Sequence, residues 1–170
     1  MNAIRNPLRL NVGFITQKPV GTMREFPFNY DRVLLDNDLQ LEQLAGHAQI
    51  TRTPQGLVVE VLLTTSVAES CSRCLTDIDL PLQTEFTEMY VFPGKVSPAE
   101  DLLMLPDDGF IDLNAIAREQ LLLEVPINPT CKPECKGLCP VCGEIIEEGH
   151  PDHGLEPGDP RMQILKSLLS

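Results

Sequence analysis

Hydrophobic and polar residues alternate with a period of two through most of the first half of the chain, a pattern typical of β-strands that bury one face. The alternation covers Leu8 to Phe14, reappears at Phe26 and Phe28, and continues over residues 44–52 and 57–67. These segments predict a strand-rich body whose apolar side chains lie on a shared face.

Turn-forming residues separate the predicted strands. Thr53-Pro54-Gln55-Gly56 has proline and glycine where a β-turn favours them, so we predict a hairpin there. The polar residues 36–38 interrupt the alternation earlier and predict a loop. A further strand is predicted over 80–92 and closed by Pro93-Gly94, and Pro81 restricts its beginning to an edge or an end of the sheet.

Two helices are predicted in the second half of the chain. Asp112 is a good N-cap, and apolar residues follow at helical spacing until Pro126, which cannot continue a helix. Near the end, Asp159 and Pro160 suit the N-cap and first helical position, and an apolar stripe follows that we expect to pack back on the body. The acidic segment 95–110 is predicted to be a surface loop.

Length and composition allow a folded protein, because 170 residues of which 42% are hydrophobic can bury a core. The 25 acidic and 13 basic residues give a net charge of −12, which argues against coating nucleic acid or an anionic membrane through bulk charge. No apolar run is long enough for a transmembrane helix, and residues 1–15 contain no signal-peptide core. We therefore expect a soluble cytoplasmic protein without a membrane partner.

All six cysteines fall in two tight clusters, which favours metal binding over disulfides in a reducing compartment. The first cluster, Cys71-Ser72-Arg73-Cys74, stands between two predicted strands. It therefore suits a zinc knuckle at a hairpin turn better than a thioredoxin-type motif, which needs a helix at its first cysteine. Two cysteines fill half of a zinc tetrahedron, so the other ligands must come from elsewhere in the chain.

The second cluster ends in Cys139-Pro140-Val141-Cys142-Gly143, which resembles the rubredoxin-type knuckle of zinc ribbons, and two histidines follow it closely. Six thiolates and two imidazoles are enough for two closed four-coordinate sites. The preferred arrangement joins Cys71, Cys74, Cys131 and Cys135 in one site and Cys139, Cys142, His150 and His153 in the other. The rival arrangement is a single site made of the four clustered cysteines, with Cys71 and Cys74 left as free thiols.

The metal predicted from these ligands is zinc, because thiolate-rich tetrahedral sites favour it, with an iron–sulfur cluster as a minor alternative. Four protein ligands leave no open position for an activated water, so we expect a structural metal and no catalytic residue. The chain has no Walker loop, Gly-x-Ser-x-Gly or His-Glu-x-x-His motif, and His47 within a predicted strand is expected to be structural. The predicted function is non-enzymatic, without a small-molecule substrate. The alternative is a zinc-dependent or thiol-redox enzyme, which needs an open metal position or a thiol of low pKa.

Several segments also resemble a known family. The chain is similar to the YceD-like family, the bacterial large ribosomal RNA subunit accumulation proteins, above all in Cys135-Lys136-Gly137-Leu138-Cys139-Pro140-Val141-Cys142-Gly143. Further matches are Ile50-Thr51-Arg52-Thr53, Cys71-Ser72-Arg73-Cys74-Leu75, Ile111-Asp112-Leu113 and Asp159-Pro160-Arg161, so the resemblance spans nearly the whole chain.

The resemblance implies a bacterial factor that supports the synthesis, processing or stability of 23S ribosomal RNA in large-subunit biogenesis. Many members have an Asn-Leu-Asn segment and a further cysteine pair after the last knuckle; here Glu144-Ile145-Ile146-Glu147 replaces the segment, and the two histidines stand at about the place of the pair. Two modes of action remain. Arg73, Lys132 and Lys136 can form a small basic patch that contacts RNA, or the acidic body can hold a basic ribosomal protein or assembly factor, which the net charge favours.

Together these predictions describe an α+β protein. We expect an antiparallel, strand-rich body with a central helix over residues 1–130, a zinc-ribbon-like segment over 131–158, and a C-terminal helix over 159–170 packed on the body.

Overall fold

The structure is a computed structural model that describes residues 3–36, 38–95, 103–151 and 153. The chain forms two units. The first takes in the described residues of Met1–Glu69 and Ile78–Pro129, and the second takes in those of Ser70–Asp77 and Thr130–Ser170. The second unit is therefore assembled from two stretches that are far apart in sequence.

Strands dominate the first unit. Its main sheet has the strand order β1-β3-β4-β5-β6-β7, and a second ladder pairs β2 with β8. The strands are β1 (Ile4–Arg5), β2 (Arg9–Asn11), β3 (Met23–Leu35), β4 (Leu39–Arg52), β5 (Gly56–Ser70), β6 (Asp77–Val91), β7 (Leu103–Met104) and β8 (Phe110–Asp112), and the helices are α1 (Gly13–Thr16) and α2 (Asn114–Glu124).

The long central strands confirm the alternation pattern. β3 pairs antiparallel with β4, and β4 pairs antiparallel with β5. The predicted hairpin turn is present, because the Thr53 N–H donates to the Gly56 carbonyl at 2.8 Å and the Thr53 hydroxyl donates to the same oxygen at 3.0 Å. The sheet is nevertheless mixed rather than purely antiparallel, since the short strands β1 and β7 pair parallel with β3 and β6.

The core of the first unit forms from the inward-facing residues of these strands, from α2, and from the segment that begins with Leu8. Inward positions of β4 and β5 are fully covered, whereas alternate residues such as Gln49 and Glu60 reach the outer face. The largest completely buried side chains are Leu8, Val12, Ile15, Leu35, Leu41, Leu44, Ile50, Leu57, Leu63, Ile111, Leu113 and Leu121. The core cluster among the described residues of this unit contains no cysteine.

The predicted strand Leu8 to Phe14 is shorter than its pattern suggests. It pairs only as β2 and then turns into α1, so Phe14 is exposed while Ile15 is buried. The carbonyl of Gly109 accepts hydrogen bonds from the N–H groups of both Val12 and Gly13, at 2.8 and 3.0 Å, and this double contact ends the ladder.

The central helix also differs in detail from its prediction. It starts at Asn114, one residue after its N-cap Leu113, and Asp112 belongs to β8. The Asp112 carboxylate still satisfies a backbone donor in the first turn of the helix, because its Oδ1 accepts a hydrogen bond from the Asn114 N–H at 2.9 Å. β7 and the start of β8 lie in the segment predicted to be a loop, 95–110.

The predicted C-terminal helix, 159–170, lies outside the described residues and stays a prediction, as does the domain division proposed from the sequence. Among the described residues, no helix has the length and apolar character needed to cross a membrane.

Candidate metal centres

The second unit brings the eight predicted ligands together as two groups of four. Within each group the sulfur and ring-nitrogen atoms all lie within 4.8 Å of one another. The groups are Cys71, Cys74, Cys131 and Cys135, and Cys139, Cys142, His150 and His153. This is the arrangement preferred from the sequence. The rival set of four clustered cysteines is instead divided between the groups. We call them the four-cysteine site and the cysteine–histidine site.

The first Cys-x-x-Cys segment forms a tight turn rather than the start of a helix. The Leu75 N–H donates to the Cys71 carbonyl at 2.9 Å, and the Cys71 N–H donates to the Thr76 carbonyl at 2.9 Å. Closing this turn requires a left-handed backbone at the residue after the second cysteine, and Leu75 adopts it with φ of 60°.

The second Cys-x-x-Cys segment has the same pair of hydrogen bonds. The Gly143 N–H donates to the Cys139 carbonyl at 2.9 Å, and the Cys139 N–H donates to the Glu144 carbonyl at 2.7 Å. Gly143 has φ of 75°, so it occupies the place that Leu75 takes in the first turn. The chain therefore contains two knuckles of equal backbone construction, and each contributes half of a different site.

The four-cysteine site has the dimensions of a zinc site. A tetrahedral zinc with Zn–S bonds of 2.3 Å would separate its sulfurs by about 3.8 Å. The Cys71 and Cys135 sulfurs are 3.9 Å apart, and the Cys74 and Cys131 sulfurs are 3.6 Å apart. Three of these cysteines are buried, with Leu138 packed against them, and Cys131 is exposed.

The cysteine–histidine site is more open. The Cys142 sulfur lies 3.3 Å from His150 Nε2, close to the separation of about 3.5 Å that a shared tetrahedral zinc would impose. The rings of His150 and His153 meet edge to face with centroids 5.2 Å apart. Cys139 is buried, whereas Cys142 and His153 are exposed. Both ligand sets therefore fit a tetrahedral ion.

Backbone hydrogen bonds favour the thiolate form of the first cysteine in each knuckle. The backbone N–H groups of Cys74 and Cys131 lower the pKa of Cys71 to about 6. The backbone N–H groups of Cys142 and Val141 likewise lower the pKa of Cys139. Hydrogen bonding to the Thr76 hydroxyl lowers the pKa of Cys74 as well.

Crowding has the opposite effect on one further thiol of the four-cysteine site, that of Cys131. Although Cys131 is an exposed residue, local desolvation of its sulfur and the neighbouring cysteine sulfurs raise its pKa to about 12. Four thiolates this close repel one another unless a cation lies between them, which is the electrostatic situation that a bound metal ion relieves.

The three basic residues singled out in the sequence flank the four-cysteine site. Arg73 Nη1 donates to the Cys135 carbonyl at 2.8 Å, and the Cys135 N–H donates to the Lys132 carbonyl at 3.1 Å. Lys132 and Lys136 are exposed. Arg73 thus joins the first knuckle to the later cysteine segment, a role that the sequence does not reveal. Contact of these residues with RNA stays a prediction.

Sequence reasoning also missed Leu75 and Thr76. Both follow Cys74, and each participates in the geometry of the first knuckle. The available signal was the position of Gly143, one residue after Cys142, because the same position after Cys74 is Leu75. His47, predicted to be structural, lies half-buried in β4 of the first unit, opposite Pro27 and Leu62.

Comparison with known proteins agrees with the resemblance seen in the sequence. An uncharacterized protein of Mycobacterium bovis is 31% identical over 139 residues, which cover 80% of this chain and 62% of that protein. The uncharacterized protein YlbN of Bacillus subtilis is 30% identical over 100 residues, 58% of either chain. This chain thus spans less than two thirds of the relatives it matches.

No solved structure matches it. A family profile described as Large ribosomal RNA subunit accumulation protein YceD matches residues 59–169, more than half of the chain, and the chain therefore belongs to the YceD family.

Proposed function

We propose that this chain is a non-enzymatic zinc protein that supports 23S ribosomal RNA synthesis, processing or stability during assembly of the large ribosomal subunit in the cytoplasm. The description of its family carries the ribosomal part of the proposal. The two groups of four ligand atoms, each within 4.8 Å, carry the zinc part.

Zinc in these sites would be structural. Both ligand sets supply four protein donors, which fill a tetrahedral ion and leave no position for an activated water. Structural zinc contributes on the order of 10 kcal/mol to folding. In the second unit this would offset the entropy lost when two distant stretches, 70–77 and 130–153, are held together.

Charge favours a protein as the direct partner. The chain carries a net charge of −12, so its field repels RNA and attracts a basic ribosomal protein or assembly factor. Arg73, Lys132 and Lys136 stand next to ligand cysteines in the sequence. The negative charge that four thiolates would place around zinc would attract these cations and reduce their availability for phosphates. The matched relatives are longer than this chain. We therefore give a basic ribosomal protein or assembly factor as a proposed partner.

Elemental analysis of purified protein tests the zinc proposal. We expect two zinc ions per chain, one for each ligand group. Cobalt substitution then gives the ligand sets, because thiolate-to-cobalt absorption increases with the number of sulfur ligands. A cobalt spectrum of three protein ligands and water at either site would favour the zinc-dependent enzyme instead.

Depletion of the protein in its native bacterium tests the ribosomal proposal. We expect 23S ribosomal RNA to decrease relative to 16S ribosomal RNA, and wild-type protein to restore the ratio. An unchanged ratio would refute the ribosomal role whatever the zinc content.

A binding assay separates direct RNA contact from action through protein. It measures binding of the chain to 23S ribosomal RNA and to extracted large-subunit proteins across salt concentrations. Direct RNA contact predicts that changing Arg73, Lys132 and Lys136 to alanine weakens RNA binding and lowers its salt dependence. Action through protein predicts negligible RNA binding by both forms and salt-sensitive binding of the basic proteins.

A further inference from the structure

We propose that the two metal sites have unequal roles: the four-cysteine site holds zinc permanently, and the cysteine–histidine site exchanges it, so that order in residues 139–153 responds to zinc availability. This inference rests on the zinc binding proposed above and adds to it an order of metal release.

Access to the ligands differs between the two sites. In the four-cysteine site Cys71, Cys74 and Cys135 are buried and only Cys131 is exposed. In the cysteine–histidine site only Cys139 is buried, and Cys142 and His153 are open to solvent. Zinc is usually transferred through an intermediate in which the incoming ligand binds before the old one leaves, so exposed ligands favour exchange.

The protein around each site also differs. Leu138 packs against the four-cysteine site, the buried Gly137 lies close to the Arg73 backbone, and Arg73 joins the two stretches of the site through the Cys135 carbonyl. Among the described residues 139–151 and 153, Cys139 alone is buried. A segment with so little buried surface depends on its metal for a fixed conformation.

Backbone pairing in this segment is confined to turns, which include the two knuckle hydrogen bonds that join Cys139 to Gly143 and Glu144. Leu138 and Ile145 form an isolated bridge, the Ile146 N–H donates to the Gly137 carbonyl at 2.9 Å, and the His150 N–H donates to the Glu147 carbonyl at 3.2 Å. These bonds shape turns, and of the described residues 140–151 and 153 only Ile146 and His150 are even half-buried. Loss of the cation would therefore release the loop that carries His150.

Formal charge also favours retention of zinc by the four-cysteine site over the cysteine–histidine site. Four thiolates around zinc leave a net negative charge, and Arg73, Lys132 and Lys136 lie beside that site. Two thiolates and two imidazoles leave zinc neutral, so the acidic residues of the loop, Glu144, Glu147 and Glu148, are compatible with that site. Thiolate is also the stronger zinc ligand, which favours retention by the four-cysteine site.

Metal release from the zinc-loaded full chain tests the proposal. The protein is mixed with an excess of a chromophoric chelator, and released zinc is followed by absorbance. We expect two phases of one zinc each, with the first at least about tenfold faster. Cobalt added after the first phase should give the weaker charge-transfer absorption of two sulfur ligands rather than four.

Matched ligand variants assign the phases, because Cys142→Ser and Cys131→Ser each remove an exposed cysteine from one site. Cys142→Ser should lack the fast phase and keep the slow one with its cobalt spectrum of four sulfurs. Cys131→Ser should lose the slow phase. Backbone hydrogen exchange after the first phase should increase over residues 139–153 and remain slow at the first knuckle, 71–76.

Three outcomes would overturn the inference while leaving zinc binding intact. They are release of both zinc ions in one phase, a fast phase retained by Cys142→Ser, and a four-sulfur spectrum for cobalt in the emptied site. Protein purified without any zinc would instead refute the zinc proposal itself.

Discussion

The guanidinium of Arg73, which lies between the two cysteines of the first knuckle, donates its Nη1 hydrogen to the carbonyl of Cys135 at 2.8 Å. This bond connects residues 62 positions apart in sequence, at the place where their neighbouring sulfurs converge. It indicates that Arg73 positions the four-cysteine site.

Replacing Arg73 with alanine should weaken that site. A hydrogen bond from a charged donor is worth about 1.5–3 kcal/mol, so we expect Arg73→Ala to lower zinc affinity at least roughly tenfold in a chelator competition. Lys136→Ala is the control, because it removes the same charge nearby and leaves this hydrogen bond in place. Equal losses in both variants would mean that charge alone explains the effect.

The two knuckles provide a reciprocal test of backbone strain. Leu75 has φ of 60° with 65% of its surface exposed, so Leu75→Gly should stabilise the zinc-loaded second unit by up to about 1 kcal/mol. Gly143→Ala should destabilise it by about 1–2 kcal/mol, since φ is 75° and a Cβ there would touch nothing within 4 Å. Thermal unfolding of the zinc-loaded variants measures both. A lower melting temperature for Leu75→Gly would contradict the assignment of strain.

Gly56 marks a close backbone approach between β5 and β6. A Cβ at this position would lie 2.0 Å from the Tyr90 carbonyl oxygen, which cannot move without breaking the sheet. We expect Gly56→Ala to lower the free energy of unfolding by at least about 3 kcal/mol in denaturant titrations. Gly94→Ala, where a Cβ meets nothing within 4 Å, should cost only about 1 kcal/mol through its positive φ.

The contact between Arg118 and Asp38 predicts a pH dependence of stability. Arg118 Nε donates to Asp38 Oδ1 at 2.8 Å and Nη2 donates to Oδ2, and these hydrogen bonds hold the pKa of Asp38 below its ordinary value. The unfolded chain therefore binds this proton more tightly than the folded chain. The stabilisation is present above about pH 4 and is lost as the pH falls through the lower folded-state pKa.

Comparing wild type with Asp38→Asn measures that contribution. The difference in free energy of unfolding should be constant between neutral pH and about pH 5, and should shrink as the medium becomes more acidic. Arg118→Ala should remove the same pH-dependent part, because it removes the donor. A difference that persists unchanged in acid would show that the ion pair is not its source.

Complete removal of metal should affect the two units unequally. The core cluster of the first unit contains no cysteine, so its strands should stay folded after exhaustive chelation. The second unit should lose its protection from hydrogen exchange, since its buried cluster consists mainly of ligand sulfurs. Region-resolved hydrogen exchange before and after chelation measures this. Unchanged protection at Cys71 and Cys135 would contradict the dependence on metal.

The sequence by itself determined the local features of this protein. Period-two alternation indicated β5, β6 and the later part of β4, because burial of one face dictates which residues are apolar, but it marked only Phe26 and Phe28 of β3. The turn Thr53-Pro54-Gln55-Gly56 predicted the hairpin between β4 and β5. Eight candidate metal ligands could also be named from the sequence, since thiol and imidazole side chains at short spacing have few other uses together.

Only the tertiary structure decided how distant parts combine. Cys71 and Cys135 are 64 residues apart. The sequence favoured their grouping but left a rival set of four clustered cysteines open, because ligand grouping depends on the path of the intervening chain, and the structure brings together the preferred set. The parallel pairing of β1 and β7 and the early end of β2 at Gly109 arise in the same way, from hydrogen bonds to residues far along the chain. The left-handed backbone of Leu75 could not be predicted from the sequence either. The turn that closes around the sulfurs imposes this conformation against the ordinary preference of leucine.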